Sequence, residues 1–220
     1  MDMNISNCAR KKTALPTLSE KAYIELYRMI QQRELPSGEP IIEAYLAELL
    51  GVSRTPLRQA LQRLESEGLL RKLESRSYVL RRVELKEYLQ SLKVREILEA
   101  EAAGLAIGRI DLSEIDQARK NIHEVQTRRP YDKLAHWHSD DQVHDIFIRT
   151  CGNQVIRDIL HSLRVTTKLF EIEQLSERLK PDNGQHEAIL DALASGDATA
   201  ACDAVKLHLR ALSDFAIREI

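Results

Sequence analysis

Four side chains in the C-terminal part of the chain have the types and spacing of a metal site. Asp140 and His144 are four residues apart, so on one helix they project from the same face, one turn apart. His186 and His208 flank the Ser195-Gly196-Asp197 turn at distances that bring them level across an antiparallel helical hairpin. One carboxylate and three imidazoles that meet inside a helical bundle can hold a divalent transition metal.

The residue pattern leaves alternatives open for this site. His136 lies four residues before Asp140 on the same face, and Asp141, three residues before His144, could replace Asp140. A buried histidine is also more often a hydrogen-bonded packing residue than a metal ligand. We assign no role to three further histidines that we expect at the surface or the rim, His123, His138 and His161.

A second set of polar side chains, in the N-terminal part, has the chemistry of sequence-specific DNA reading. It shares one helix with an apolar stripe and faces the opposite way; its members are Arg54, Thr55, Arg58, Gln59 and Gln62. Arginine can donate two hydrogen bonds to guanine, glutamine can pair with adenine, and the threonine methyl can contact thymine. Arg76 follows in a short β-hairpin, where it can meet a phosphate or the minor groove. The alternative is a helical hairpin whose arginines are merely solvated.

The elements that would position these residues form a winged helix-turn-helix over residues 16–80. Thr17-Leu18-Ser19-Glu20 is a capping box that begins the first helix. Gly51 ends the second helix as a left-handed cap, and Ser53 is a good N-cap for the third. A short helix, a tight turn and a helix with a basic exposed face indicate this fold. Two β-like runs complete the wing, Leu69–Leu73 and Ser77–Leu80.

The rest of the chain is predicted to be helical. We expect a flexible tail over residues 1–15, a linker over residues 81–85, and an antiparallel bundle of about six helices over residues 86–220. The fifth helix of this bundle is expected to begin after Gly184. The fold class is therefore mainly α.

Composition and charge exclude several classes of protein. The chain has 220 residues, of which 43% are hydrophobic and 30% charged, so it can build a core and divide into two domains. It contains no run of roughly 18 apolar residues, which a membrane span needs, and its three distant cysteines argue against a disulfide scaffold. We expect a cytoplasmic protein without a membrane partner.

Charge also separates the two halves. Residues 1–82 carry 14 Lys and Arg against 10 Asp and Glu and no histidine, whereas residues 83–220 carry 18 against 24 and all seven histidines. The positive half favours a polyanionic partner, and the acidic half favours a metal or small-molecule site.

Several runs of the N-terminal half occur in the order and register of a known family. They are Leu46-Ala47-Glu48, Gly51-Val52-Ser53-Arg54-Thr55-Pro56-Leu57-Arg58-Gln59-Ala60-Leu61, Leu64-Glu65 and Glu67-Gly68-Leu69. Together they resemble the winged helix of GntR-type bacterial transcription regulators. The resemblance implies that Arg54 and Arg58 are the principal DNA-contacting arginines, with the wing at the minor groove. This chain departs from the family at Gln59, usually Glu, and at Ser75-Arg76-Ser77, where the family has a Gly-rich wing tip.

The C-terminal half is similar to the FCD ligand-binding domain of the FadR subfamily. The matching runs are Val94-Arg95-Glu96-Ile97-Leu98-Glu99, Asp140-x-x-x-His144 with Gly152-Asn153, and His186-Glu187-Ala188-Ile189-Leu190-Asp191-Ala192-Leu193 with Gly196-Asp197 and His208. The resemblance implies a metal such as zinc, nickel or manganese on Asp140, His144, His186 and His208, at which small carboxylates bind. It places Arg95 on the effector carboxylate, although Arg95 could equally pair with Glu99. Val143 stands where the family has Phe.

The expected function is a metabolite-responsive transcription regulator. We expect a homodimer that binds palindromic operator DNA, most simply as a repressor, and whose DNA affinity falls when a small organic acid binds. Two alternatives are a metal-dependent enzyme, with His136 as a candidate base, and a direct sensor of the metal itself.

Overall fold

The computed structural model describes residues 16–32, 34–35, 37–73, 77–170 and 175–218. Within these ranges the fold is mainly α, as predicted, with a winged helix-turn-helix followed by a helical bundle. Residues 1–15 and Arg76, for which a tail and a DNA contact are predicted, lie outside the described residues. The elements are α1 Leu18–Gln31, β1 Pro40–Ile41, α2 Glu43–Leu49, α3 Arg54–Ser66, β2 Leu70–Lys72, β3 Tyr78–Leu80, α4 Leu85–Ala106, α5 Leu112–Thr127, α6 Lys133–Thr150, α7 Gln154–Phe170, α8 Leu175–Ser195 and α9 Ala198–Arg218.

Helix α1 begins at the predicted capping box. The Thr17 side chain accepts a hydrogen bond from the Glu20 amide, and the Glu20 carboxylate accepts one from the Thr17 amide. Leu26 and Ile30 on its inner face are buried and meet the apolar side of α3. These contacts place α3 on a hydrophobic core that belongs to the N-terminal domain.

The turn before α3 follows from two residues. Gly51 has φ +62°, a left-handed conformation that glycine adopts without a steric penalty. Ser53 has the extended backbone of an N-cap, but its side chain makes no capping hydrogen bond. The predicted stripe is confirmed, because its members are at most 1% exposed: Leu57, Ala60, Leu61 and Leu64.

The wing contains one strand more than the sequence predicts. β2 and β3 pair antiparallel, with Lys72 opposite Tyr78, and β1 pairs with the other edge of β3 to give the order β1-β3-β2. β1 lies between α1 and α2, where the sequence predicts no strand. Its two residues pair with β3 through backbone groups, which hydrophobic periodicity does not reveal.

The C-terminal bundle is built around α4, which packs against α6, α7 and α9. Because three neighbours surround this helix, buried residues occupy much of its circumference, including the charged side chains of Arg95, Glu96 and Glu99. A charge inside a bundle is costly unless it is paired. These three residues therefore indicate that the centre of the bundle is a polar site.

Helix α8 corrects one expectation. It begins at Leu175 and not after Gly184, and both Pro181 and Gly184 lie within it. Pro and Gly favour an interruption of a helix. Here Arg178 and Asp182 are buried, at 5% exposure each, so contacts in the bundle outweigh the local preference for a turn.

Helix α7 joins the two domains. Val165 and Leu169 pack against the core of the N-terminal domain, and the Thr166 hydroxyl accepts a hydrogen bond of 3.0 Å from Arg81, which follows β3. The other face of α7 is part of the bundle. Among the described residues, no helix combines the length and apolar character that crossing a bilayer requires.

Candidate metal centre and nucleic-acid interface

The bundle brings the four predicted metal ligands together. Asp140 and His144 lie on α6, His186 on α8 and His208 on α9, and one ligand atom from each lies within 4.8 Å of the others. The three histidines are at most 1% exposed. Asp140 Oδ1 lies 3.4 Å from His186 Nε2 and 3.6 Å from His144 Nε2. Geometry thus selects this set from the alternatives that the spacing leaves open.

The ring nitrogens of this cluster fit a cation. The Nε2 atoms of His144, His186 and His208 are all buried without a hydrogen-bond partner. Buried polar atoms are normally paired, because each unpaired one costs about 1–3 kcal/mol. Three such nitrogens beside one carboxylate match the nitrogen and oxygen ligands of zinc and related divalent ions.

Two of the histidines are oriented by a partner at the other ring nitrogen. Glu99 Oε2 lies 2.6 Å from His144 Nδ1, and Gln185 Oε1 lies 3.0 Å from His208 Nδ1. Each oxygen accepts a hydrogen bond from Nδ1–H, which leaves the Nε2 lone pair free to bind a metal. Metal-binding histidines generally have such partners.

Burial keeps the imidazoles of His144 and His208 neutral. It lowers the pKa of His144 to about 4, with Arg164 adding to the effect, and it lowers the pKa of His208 well below its usual value. Burial alone would raise the pKa of Asp140, but Arg164 and His144 outweigh it and hold that pKa well below the usual range. At neutral pH His144 and His208 therefore offer neutral nitrogens beside the ionised carboxylate of Asp140, the protonation state that a metal requires.

The two alternative ligands, Asp141 and His136, contact groups outside the cluster of the four predicted ligands. Asp141 Oδ1 accepts a hydrogen bond of 2.9 Å from Arg164, and its other oxygen contacts Lys168. His136 Nδ1 lies 3.0 Å from the Tyr131 hydroxyl, so its ring is engaged outside the cluster. Three further histidines are exposed, as expected: His123, His138 and His161.

The predicted DNA-reading side chains lie on the exposed side of α3. All five are exposed, and they stand opposite the buried stripe: Arg54, Thr55, Arg58, Gln59 and Gln62. Arg58 Nε donates a hydrogen bond of 2.8 Å to Glu43 Oε2 on α2. This bond engages only Nε, so the two terminal nitrogens of the guanidinium stay available for a base.

Two family patterns match the chain. Residues 18–83 match the pattern described as "Bacterial regulatory proteins, gntR family", and residues 90–211 match the FCD domain, which alone spans more than half of the chain. The chain belongs to the GntR family and carries an FCD domain. It is therefore a DNA-binding transcriptional regulator with a helical ligand-binding domain.

Relatives and solved structures agree with this assignment. A helix-turn-helix regulator from an unstable DNA locus of Streptomyces ambofaciens is 27% identical over 87% of this chain and 82% of its own length. The transcriptional repressor RspR of Escherichia coli K12 is 23% identical over 92% of this chain and 90% of its own length. The structure of E. coli McbR/YncC has the same fold, with a TM-score of 0.72 at 19% identity, and the match covers 93% of this chain and 99% of that one.

In this GntR-family regulator, Arg95 is engaged inside the protein. Its Nε donates a hydrogen bond of 2.6 Å to Glu99, and Nη1 donates one of 2.8 Å to Thr167 on α7. Arg95 is 3% exposed. The pairing with Glu99 is the alternative that the sequence left open, and it places Arg95 behind the carboxylate that orients His144.

Sequence reasoning missed Arg164, which holds Asp140 in place. Arg164 Nη2 donates hydrogen bonds of 2.7 Å to Asp140 and 2.9 Å to Asp141. A signal for it was present, because Arg164 follows Ile156 and Leu160 at helical spacing on the buried face of α7. A charged residue on an apolar stripe needs a partner, which indicates a polar site opposite it.

Proposed function

We propose that this GntR-family regulator is a homodimeric repressor whose operator binding is modulated by a small carboxylate bound at a metal site in its FCD domain. One observation carries the proposal. The unpaired Nε2 atoms of His144, His186 and His208 converge with Asp140 in the bundle, and that bundle contacts the DNA-binding domain through α7.

The residues present fit zinc, and nickel or manganese are compatible with the same ligands. Asp140, His144, His186 and His208 would hold the ion, with Glu99 and Gln185 orienting two of the rings. When bound, the ion supplies a Lewis acid to which a carboxylate oxygen can coordinate. Arg164 fixes the second oxygen of Asp140 and so keeps the first directed at the histidines.

Helix α7 is the proposed route from this site to DNA. On its bundle side, Arg164 bonds to Asp140 and Thr167 bonds to Arg95. On its other side, Thr166 accepts a bond from Arg81, and Val165 packs on the DNA-binding core. A ligand that shifts α7 therefore changes the position of α3. By linkage, a ligand that prefers the displaced arrangement and the operator weaken each other's binding.

Helix α3 is the element that we propose contacts the DNA bases. We propose that Arg54 and Arg58 donate to guanines in the major groove, with Thr55, Gln59 and Gln62 beside them. Glu43 holds the Arg58 side chain across the groove-facing surface through Nε. Phosphate contacts from other cations make the affinity depend on salt, whereas the α3 contacts select the sequence.

A homodimer would place one α3 in each half-site of a palindrome. The proposal is supported by apolar side chains that α4 and α7, which pack against each other, leave exposed: Val94, Ile97, Leu105, Val155 and Ile159. Exposed apolar side chains grouped on neighbouring helices are typical of an interface. A two-fold interface buries the same surface of both copies.

Operator affinity with and without metal and acid tests the proposal. An operator is selected from a random duplex library, and its binding to full-length protein is followed by fluorescence anisotropy. We expect at least one short organic acid to weaken binding by the zinc-loaded protein about 5- to 150-fold, the range of ordinary allosteric coupling. His208→Ala should abolish the response, whereas His138→Ala, an exposed residue on α6, should leave it intact.

Three results would contradict the proposal. His208→Ala protein that keeps the acid response would exclude this site. Zinc that alters DNA affinity without any effect of acids would indicate a direct metal sensor. Turnover of an acid would indicate an enzyme, although burial lowers the pKa of His136, the candidate base, to about 4 and so weakens it as a base at neutral pH.

A further inference from the structure

A second buried polar cluster lies beside the candidate metal centre. Asp182 on α8 contacts Arg178 through an ion pair, and its other oxygen lies 3.8 Å from His136 Nε2 on α6. The Arg178 guanidinium carbon lies 5.2 Å from the centre of the Phe215 ring on α9. His136, Asp182 and Arg178 are at most 5% exposed. The three helices that supply the metal ligands therefore supply this cluster too.

The two clusters form consecutive layers of the bundle. His136 precedes Asp140 by four residues and Asp182 precedes His186 by four, so each lies one turn further along the same helix face. Four residues of helix rise about 6 Å. The second layer is thus one helical turn away from the metal ligands, on the same inner faces of α6 and α8.

Arg178 has unused capacity to bind an anion. A guanidinium has five N–H donors, and here one terminal nitrogen contacts Asp182 while Nε is buried without a partner. Arg95 differs, because its Nε and Nη1 donate hydrogen bonds to Glu99 and Thr167. Arg164 Nη1 is also buried without a hydrogen bond, but it lies 3.9 Å from Glu99 Oε1. A buried guanidinium with a free edge is suited to bidentate binding of a carboxylate.

We propose that Arg178 binds a second acidic group of the effector, and that the effector is therefore a short dicarboxylate. The inference rests on the proposed function, which places the first carboxylate at the Asp140 and histidine cluster. Arg178 is about two turns before His186, but its side chain contacts Asp182, whose layer is about 6 Å from the metal ligands. The guanidinium therefore lies within reach of the second carboxyl group of a short-chain diacid. Phe215, which lies against the guanidinium, closes the cluster on the α9 side.

Asp182 is the carboxylate that already contacts one terminal nitrogen of Arg178. Burial raises the pKa of Asp182 to about 6, although Arg178 and His186 act in the opposite direction. At neutral pH Asp182 is still mainly ionised, so the acidic group of the effector would bind on the Nε side of Arg178, next to the nitrogen that Asp182 contacts. His136 lies beside Asp182, and the pKa of His136, lowered by burial to about 4, keeps that ring uncharged at neutral pH.

Matched acids test the inference. Zinc-loaded full-length protein is titrated calorimetrically with succinate, glutarate and adipate, and with butyrate, pentanoate and hexanoate, which have the same chain lengths but one carboxylate. We expect one diacid to bind about ten- to a hundredfold more tightly than its matched monoacid, the worth of a buried charge-assisted bond. Arg178→Gln should bring this ratio close to one and leave monoacid affinity and zinc content unchanged.

Two further variants make the result specific. Arg178→Lys keeps the positive charge but not the planar guanidinium that can donate two parallel hydrogen bonds, so it should retain part of the preference for the diacid. It also tests the inference if Arg178→Gln does not fold. Arg149→Gln removes an exposed arginine that pairs with Glu114, and it should leave the preference at its wild-type value.

The outcomes separate this inference from the proposed function. Equal binding of diacids and monoacids by the wild type, or a preference that survives Arg178→Gln, overturns the role of Arg178 while the effector site stands. If none of the six acids binds zinc-loaded protein, the short-chain effector class fails and this inference fails with it.

Discussion

The exposed face of α3 and the buried histidine cluster hold their polar side chains in opposite ways. On α3 the predicted DNA-reading residues project into solvent, and Arg58 is positioned by Glu43, a carboxylate that is itself partly exposed. In the bundle, His144 is positioned by Glu99, a carboxylate with no exposed side-chain surface. An exposed pair is screened by water and contributes little, whereas removing one partner of a buried pair leaves the other unpaired. Removing one partner of such a pair should therefore have a larger effect in the bundle than on α3.

The largest effect is expected from removing two metal ligands together. His186→Ala combined with His208→Ala leaves Asp140 and His144, too few ligands to retain an ion against dialysis. We expect loss of stoichiometric zinc, measured by inductively coupled plasma mass spectrometry on purified protein. Retention of one zinc per chain would refute the ligand set, and normal metal content in His123→Ala, an exposed histidine, serves as the control.

Glu99→Gln tests the buried orienting carboxylate. The substitution keeps the shape but removes the charge that faces His144 and Arg95. Loss of such a partner generally weakens metal binding about 10- to 100-fold, and competition with a zinc chelator measures this change. The control is Glu101→Gln, an exposed position on the same helix. Zinc affinity equal to that of the control would show that burial of the partner is unimportant.

Arg58→Ala tests the exposed face. We expect a loss of about 1–3 kcal/mol in specific operator binding, the worth of a bidentate arginine–guanine contact, with an unchanged melting temperature. Anisotropy titrations with selected and scrambled duplexes measure it. Arg63→Ala is the control, because Arg63 lies on the same helix but its guanidinium carbon is 3.7 Å from the centre of the Tyr23 ring. Undiminished affinity of Arg58→Ala would remove α3 from DNA reading.

The smallest effect is expected from Glu43→Gln. The amide can still accept a hydrogen bond from Arg58 Nε, and the pair is exposed on the arginine side. We expect operator affinity to change by less than about 1 kcal/mol. An effect as large as that of Glu99→Gln on zinc would erase the contrast between the exposed and buried carboxylates.

The sequence predicts residues whose positions depend on local periodicity. The α3 stripe, the capping box of α1 and the pairing of Asp140 with His144 on one face follow from spacings of three and four residues. The prediction that His186 and His208 come level with each other follows from the short turn of the helical hairpin that carries them. Each depends on one or two elements, so tertiary contacts do not alter it.

Contacts between distant segments could not be predicted in this way. The Arg164–Asp140 bond joins α7 to α6, and Glu99 reaches His144 across 45 residues of chain. The early start of α8 depends on the burial of Arg178 and Asp182, which outweighs Pro181 and Gly184. The predicted DNA contact of Arg76 lies outside the described residues and stays a prediction.

The composition of α7 bears on how the proposed displacement could pass from the bundle to the N-terminal domain. Its 17 residues contain neither glycine nor proline, the residues at which helices usually kink. A helix of this length extends about 26 Å and moves as a rigid rod. In the proposed mechanism, a displacement of Arg164 on the bundle side would therefore move Leu169 on the DNA-binding side with it, without any segment having to unfold.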